Sequence, residues 1–136
     1  MKRDLTAEFR DQPEPFSTLV GLQVEEVRQD YCRMRLPFRS EVRTSGVVVH
    51  GGAIATLIDT AAVAAVWSAV DPQATRGATA SMTVNYLAAA RSVDLIAEAR
   101  IIRRGHSVVF VDVDVFSPTG ERIAKGVVTY KVGYGR

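Results

Sequence analysis

Residues 50–67 read HGGAIATLIDTAAVAAVW. From Thr44 to Val70 the only formally charged side chain is Asp59, set among alanine, isoleucine, leucine and valine. A run of this kind predicts a helix buried on nearly all sides by its own protein, extending from Gly52 to about Val70 and ended by Asp71-Pro72. The segment from Gly46 to Val70 also exceeds the ~20 residues a bilayer demands. His50, the Gly51-Gly52 pair and Asp59 argue against a membrane span, because an intramembrane carboxylate is costly. Helical periodicity puts Gly52, Ala55, Thr56, Asp59, Ala62 and Val63 on one stripe, and Ile54, Leu57, Ile58, Ala61 and Ala65 on the opposite face. The second face is core; the first is lined with small residues and leaves room beside Asp59 for a substrate or a second helix.

The segments around this helix are strands. Leu5 to Arg10 predicts a short helical turn stopped by Pro13 and Pro15. Gln23 to Arg28 and Tyr31 to Leu36 form a hairpin through Gln29-Asp30, and Pro37 to Val47 is a loop. Four further strands follow the helix, at 78–87, 93–103, 107–116 and 122–132, separated by turn residues at Arg104-Gly105-His106 and Ser117-Pro118-Thr119-Gly120. Val109, Val111, Val113 and Val115 alternate with Asp112 and Asp114, as in a strand with one face buried. One long apolar helix with about six antiparallel strands implies an α+β fold in which a sheet curls around the helix.

Composition agrees with one globular domain. The chain has 136 residues, 47% apolar and 24% charged, with 17 basic against 15 acidic residues and a net charge of +2. This length suits one domain with a real core. The basic residues are scattered, with no run longer than Arg103-Arg104, which gives nucleic-acid binding little support. The lone cysteine, Cys32, shares an apolar strand face with Met34 and Leu36 and reads as core. The N-terminus carries acidic residues where a secretory signal needs its apolar centre, so a cytoplasmic protein is expected. Two histidines and one cysteine offer no convincing metal-ligand cluster.

A carboxyl group in apolar surroundings must either be protonated or, if ionised, be compensated by donors and positive potential. A structural aspartate would bond a neighbouring hydroxyl or an arginine, and Thr56 and Thr60 are at hand. The helix start suggests a second use. At His50-Gly51-Gly52 the first backbone N–H groups lack intrahelical partners, and glycine lets a ligand oxygen come close. With the positive end of the helix dipole, such a site stabilises negative charge developing on a carbonyl oxygen. Gly51 and Asp59 are eight positions apart, about 12 Å along a helix at ~1.5 Å per residue. A carbonyl bonded to Gly51 is therefore out of reach of the same chain's Asp59, since reacting groups must approach within ~3–3.5 Å. If both act on one substrate, they come from two chains of a two-fold dimer.

The motifs GVVVHGGAIATLIDTAA, ASMTVNYL, RRGHSVVFVDVDVF and RIAKGVVTYKV resemble those of the hotdog-fold acyl-CoA thioesterases of the phenylacetate-degradation (PaaI-like) type, over about 15–132. The resemblance implies a hotdog fold, an antiparallel sheet wrapped around a long central helix. It also implies sheet-joined homodimers that often pair into tetramers, an acyl-CoA substrate, and no cofactor beyond the coenzyme A of that substrate. By resemblance, Gly51 donates its N–H to the thioester oxygen and His50 shapes that pocket. Asp59 acts from the partner subunit as general base or as nucleophile, the two left open. Thr79 stands where a hydroxyl assists near the acid, or is simply a β-branched strand residue. Alternation puts Thr79, Ser81, Thr83 and Asn85 on one face, so Ser81 is expected at the substrate with Gly52.

The chain departs from the family pattern in two places. Thr44 falls where the family often has an asparagine or glutamine that holds the water or thioester, and a hydroxyl has fewer hydrogen-bonding sites. Ala88-Ala89-Ala90-Arg91 replaces a frequent arginine and proline. Arg103, Arg104 and His106 either meet coenzyme A phosphates or form a solvated turn. Two competing readings are a hotdog dehydratase acting on a 3-hydroxyacyl thioester and a non-catalytic acyl-CoA-binding module.

Overall fold

The computed structural model describes residues 3–135. Two short helices, α1 (Leu5–Asp11) and α2 (Pro15–Val20), precede the hairpin of β1 (Gln23–Arg28) and β2 (Tyr31–Leu36). A loop with one 3-10 turn at Ser40–Val42 leads to α3 (Gly51–Trp67), followed by β3 (Ala74–Tyr86), β4 (Leu95–Arg104), β5 (Val108–Phe116) and β6 (Arg122–Tyr134). The six strands form one antiparallel sheet in the order β1-β2-β4-β5-β6-β3. α3 packs mainly against β2, β4 and β5, with fewer contacts to β6 and β3. This is the hotdog arrangement, and β1 and β3 are its edge strands. Among the described residues no helix is long and apolar enough to cross a membrane.

The core joins Leu57, Ile58, Ala61 and Ala65 of α3 to Val109, Val111, Val113 and Val115 of β5 and to Cys32, Met34 and Leu36 of β2, all buried. Burial pushes the Cys32 thiol up to about 12, as expected of a core residue. Ala62, read from periodicity as part of the open stripe, is fully buried. It belongs to the core cluster rather than to the open flank.

Three of the differences from the sequence reading have a clear tertiary reason. Pro15 does not merely stop α1. It opens α2 at the first helical position, where its missing N–H costs nothing, and Gly21, at φ 91°, ends that helix in the left-handed conformation. α3 stops at Trp67, three residues short of Val70. The buried Ser68 hydroxyl donates to the Ala65 carbonyl at 2.6 Å and accepts from the Asp30 N–H at 2.9 Å, tying the helix end to the β1–β2 turn. β3 starts four residues before Ala78, because Ala74, Arg76 and Gly77 pair with Tyr134, Gly133 and Val132 of β6.

Helix and sheet approach closely at Gly126 of β6, where a Cβ would lie 2.6 Å from the Cγ2 of Ile58. Gly126→Ala is therefore expected to lower stability by about 1–3 kcal/mol, the usual cost of overpacking, read as a reduced urea midpoint at unchanged slope. An unchanged midpoint would mean that α3 does not rest on β6 at this position.

Candidate active site

The start of α3 is held from both sides. The His50 N–H donates to the Val42 carbonyl at 2.8 Å, and the Val49 N–H to the Ala90 carbonyl at 2.9 Å. His50 caps the helix in extended conformation (φ −63°, ψ 133°), and its Nδ1 accepts the Gly52 N–H at 2.7 Å. An accepting Nδ1 carries no proton, so the neutral ring holds its proton on Nε2. The His50 carbonyl takes the N–H groups of Ala53 and Ile54 at 2.9 and 3.2 Å. Of the first-turn donors, the Gly51 N–H alone finds no acceptor among the described residues. The Gly52 N–H, expected at the substrate, is occupied by His50. The Tyr86 hydroxyl donates to the Gly51 carbonyl at 2.9 Å, and its ring lies about 3.4 Å from where a Cβ on Gly51 would stand.

Asp59 sits midway along α3, half-buried. Its Oδ1 accepts the Thr79 hydroxyl at 2.6 Å. The neighbouring hydroxyls do not take it: Thr56 donates to the Gly52 carbonyl at 2.8 Å. No cation lies within ion-pair distance of Asp59 among the described residues. One carboxylate oxygen is thus anchored, and Oδ2 has no partner among those residues and stays available for a water or a substrate.

A register shift in β3 aims Thr79 at Asp59. Thr79 lies opposite Tyr130 while Ser81 lies opposite Thr129, so Ala80 is the extra residue. Simple alternation would put Thr79 with Ser81, Thr83 and Asn85. The shift instead leaves Thr79, Met82 and Val84 partly buried, and turns Ser81, Thr83 and Asn85 outward and exposed. Ser81 is on the face away from Asp59, correcting the sequence reading.

Thr44 is exposed in the loop before the helix, its N–H bonded to the Val48 carbonyl at 2.8 Å. The guanidinium of Arg104 is committed to Asp30, with Nη2 2.8 Å and Nε 3.1 Å from Oδ1, and to the Ala65 carbonyl at 3.4 Å, all at the far end of α3. Arg103 is exposed, and the His106 ring stacks on Tyr134 at 4.4 Å. The structure thus joins Asp59 to Thr79 and His50 to Gly52, but not the two arginines to either pair. Arg39 is a residue that sequence reasoning missed. With Phe16, Leu19 and Arg43 it lines a cleft of about 440 Å³ beside His50, Gly52 and Thr56. No local pattern marks it, because α2 and the 3-10 loop meet α3 only in the fold.

Residues 46–124, which include both helix-borne groups and Thr79, match the model of the thioesterase superfamily. The chain belongs to that superfamily. This thioester hydrolase is 39% identical to a protein of Halobacterium salinarum named as an inferred esterase, over 74% of this chain and 69% of the other. Its fold matches that of the Escherichia coli PaaI protein of the phenylacetic acid degradation operon with TM-score 0.84, 16% identity and coverage of 96% and 92%. It also matches a hypothetical thioesterase of Streptococcus pneumoniae solved with coenzyme A, at TM-score 0.76, 22% identity and coverage of 85% and 88%. The two solved structures establish the shared hotdog fold of this superfamily member.

If Nδ1 of His50 is the cap of α3, then His50→Ala lowers stability by about 0.5–2 kcal/mol, whereas His50→Asn, which keeps an acceptor, loses much less. Thermal melts of the three proteins check this; equal losses in both variants would assign the cost to something other than the cap.

Proposed function

We propose that the protein hydrolyses acyl-CoA thioesters at sites shared between two copies of the chain. The observation that carries this reading is the pairing of an unsatisfied Gly51 N–H at the start of α3 with an Asp59 carboxylate tethered on one oxygen only. Within one chain these groups are eight residues apart, about 12 Å of helix. Two α3 helices lying side by side and antiparallel across a two-fold axis bring one chain's Gly51 to its partner's Asp59, and create two equivalent sites.

In this reading the Gly51 N–H, at the positive end of the helix, receives the thioester oxygen and stabilises the oxyanion that forms there. His50 keeps the Gly52 amide occupied and so fixes the turn that presents Gly51. Asp59 either takes a proton from a water attacking the carbonyl carbon or attacks that carbon itself; in both cases the C–S bond breaks and coenzyme A leaves as a thiolate, and in the second a water then cleaves the mixed anhydride to free the acid and restore the carboxylate. Thr79 is a positioning residue whose hydroxyl holds Oδ1 and orients Oδ2. Thr44, six residues before His50, is given the role of holding the water or thioester, with Ser45 beside it. Coenzyme A enters as part of the substrate and no further cofactor is required. A cytoplasmic homodimer, pairing again into a tetramer, completes the proposal.

Two substitutions and their mixture test it. Asp59→Asn is expected to lower kcat by about 10²–10⁴ in a thiol-release assay, the range of a lost general base. Gly51→Pro removes the donor while proline suits the first helical position, and the extended His50 already has the backbone that precedes proline; kcat should fall by about 10²–10³. Co-expressed, the two inactive chains form mixed dimers with one intact site, restoring about a quarter of wild-type activity if pairing is random. No recovery in verified mixed dimers would place both groups in one chain's site and sink the shared arrangement. Undiminished turnover in Asp59→Asn would remove the acid from the mechanism.

A further inference from the structure

A recess of about 710 Å³ lies on the other flank of the α3 stripe, a volume within the range of pockets that enclose small ligands. Met34 of β2 and Thr60 and Val63 of α3 line one part, Val24 of β1 with Leu22 another, and α1 contributes Phe9. Its charged residues, Arg10 and Glu14, belong to the α1–α2 segment and are exposed, so they mark the rim. Thr60 follows Asp59 in sequence and Val63 is one turn on, where helix neighbours have Cβ atoms ~5–6 Å apart. The recess therefore begins about one side chain away from the carboxylate.

We infer that this recess takes the acyl chain, and that the substrates are thioesters of medium-length fatty acids. The inference rests on the acyl-CoA reading above and adds the substrate class to it. An acetyl group held at Asp59 would leave the apolar lining unfilled, whereas a longer chain passes Val63 and buries its methylenes against Met34, Val24 and Phe9. An acyl group ending in a carboxylate is disfavoured, because a charge drawn in past the rim would lose its hydration without a cation to replace it. The two helices that precede the sheet thus do more than extend the chain: α1 supplies one side of the recess, and chain-length selection is the role this gives it.

The test uses acetyl-, hexanoyl- and decanoyl-CoA with wild type, Val24→Phe and Phe9→Ala. In the wild type kcat/KM should rise about fourfold per methylene, the equivalent of ~0.8 kcal/mol. Val24→Phe should lower the decanoyl-to-acetyl ratio about tenfold, the worth of roughly two buried methylenes. Phe9→Ala should move the preference to longer chains, and it carries the test if the larger phenylalanine impairs folding. Dissociation constants for the same thioesters, measured on Asp59→Asn so that the ligand persists, should follow the same ladder. A flat wild-type profile, or variants that shift all three thioesters equally, would overturn the recess as the acyl site. A ladder of affinities without thiol release in the wild type would support the recess while sinking the hydrolytic reading.

Discussion

The structure depends on how closely α3 can lie in the curved sheet. Small side chains make this possible: Ala61, Ala62 and Ala65 are fully buried, and Gly126 leaves the space that Ile58 fills. Interiors pack at the density of organic crystals, so a helix seated this deeply has few alternative positions. Everything at the site is measured from that seat. The helix start is fixed to the 3-10 turn and to residue 90 by two backbone hydrogen bonds, and the helix end is fixed to the β1–β2 turn through Ser68.

A deeply seated helix has a consequence for Asp59. A carboxylate on such an element needs a partner, and its own helix supplies none: the Thr56 hydroxyl is given to the Gly52 carbonyl, and Thr60 lines the recess on the other flank. The partner comes instead from β3, through the one-residue register shift that turns Thr79 inward. One hydroxyl anchors the group without neutralising it, as an arginine would. Similar economy holds at the helix start, where His50 consumes one amide and leaves the adjacent one free. Each arrangement fixes one polar group and leaves its neighbour available, which is how a preorganised site differs from a merely satisfied core.

Arg104 shows the opposite case. In the sequence it stands beside Arg103 at a turn, and two adjacent arginines are a reasonable place for phosphate contacts. In the fold they diverge: Arg103 is exposed, while Arg104 turns toward Asp30, whose backbone has a positive φ of 62°. Its fork closes the β1–β2 turn against the end of α3, and the guanidinium is spent on structure. Adjacent residues on a strand face opposite ways, so a pair in sequence is not a pair in space.

The sequence alone determined the helix, its charged residue, the alternation of β5 and the hairpin of β1 and β2, because each is written in local periodicity and turn chemistry. It also determined that Gly51 and Asp59 are too far apart in one chain, since helix rise is fixed by backbone geometry. The tertiary structure decided what periodicity does not encode: that an extra residue at Ala80 separates Ser81 from Thr79, that Pro15 opens a second helix, and that Arg39 joins the cleft at His50. These depend on which distant segments meet. Strand register and helix docking are settled by packing between elements, where a single inserted residue reverses every later side chain while leaving the local pattern almost unchanged.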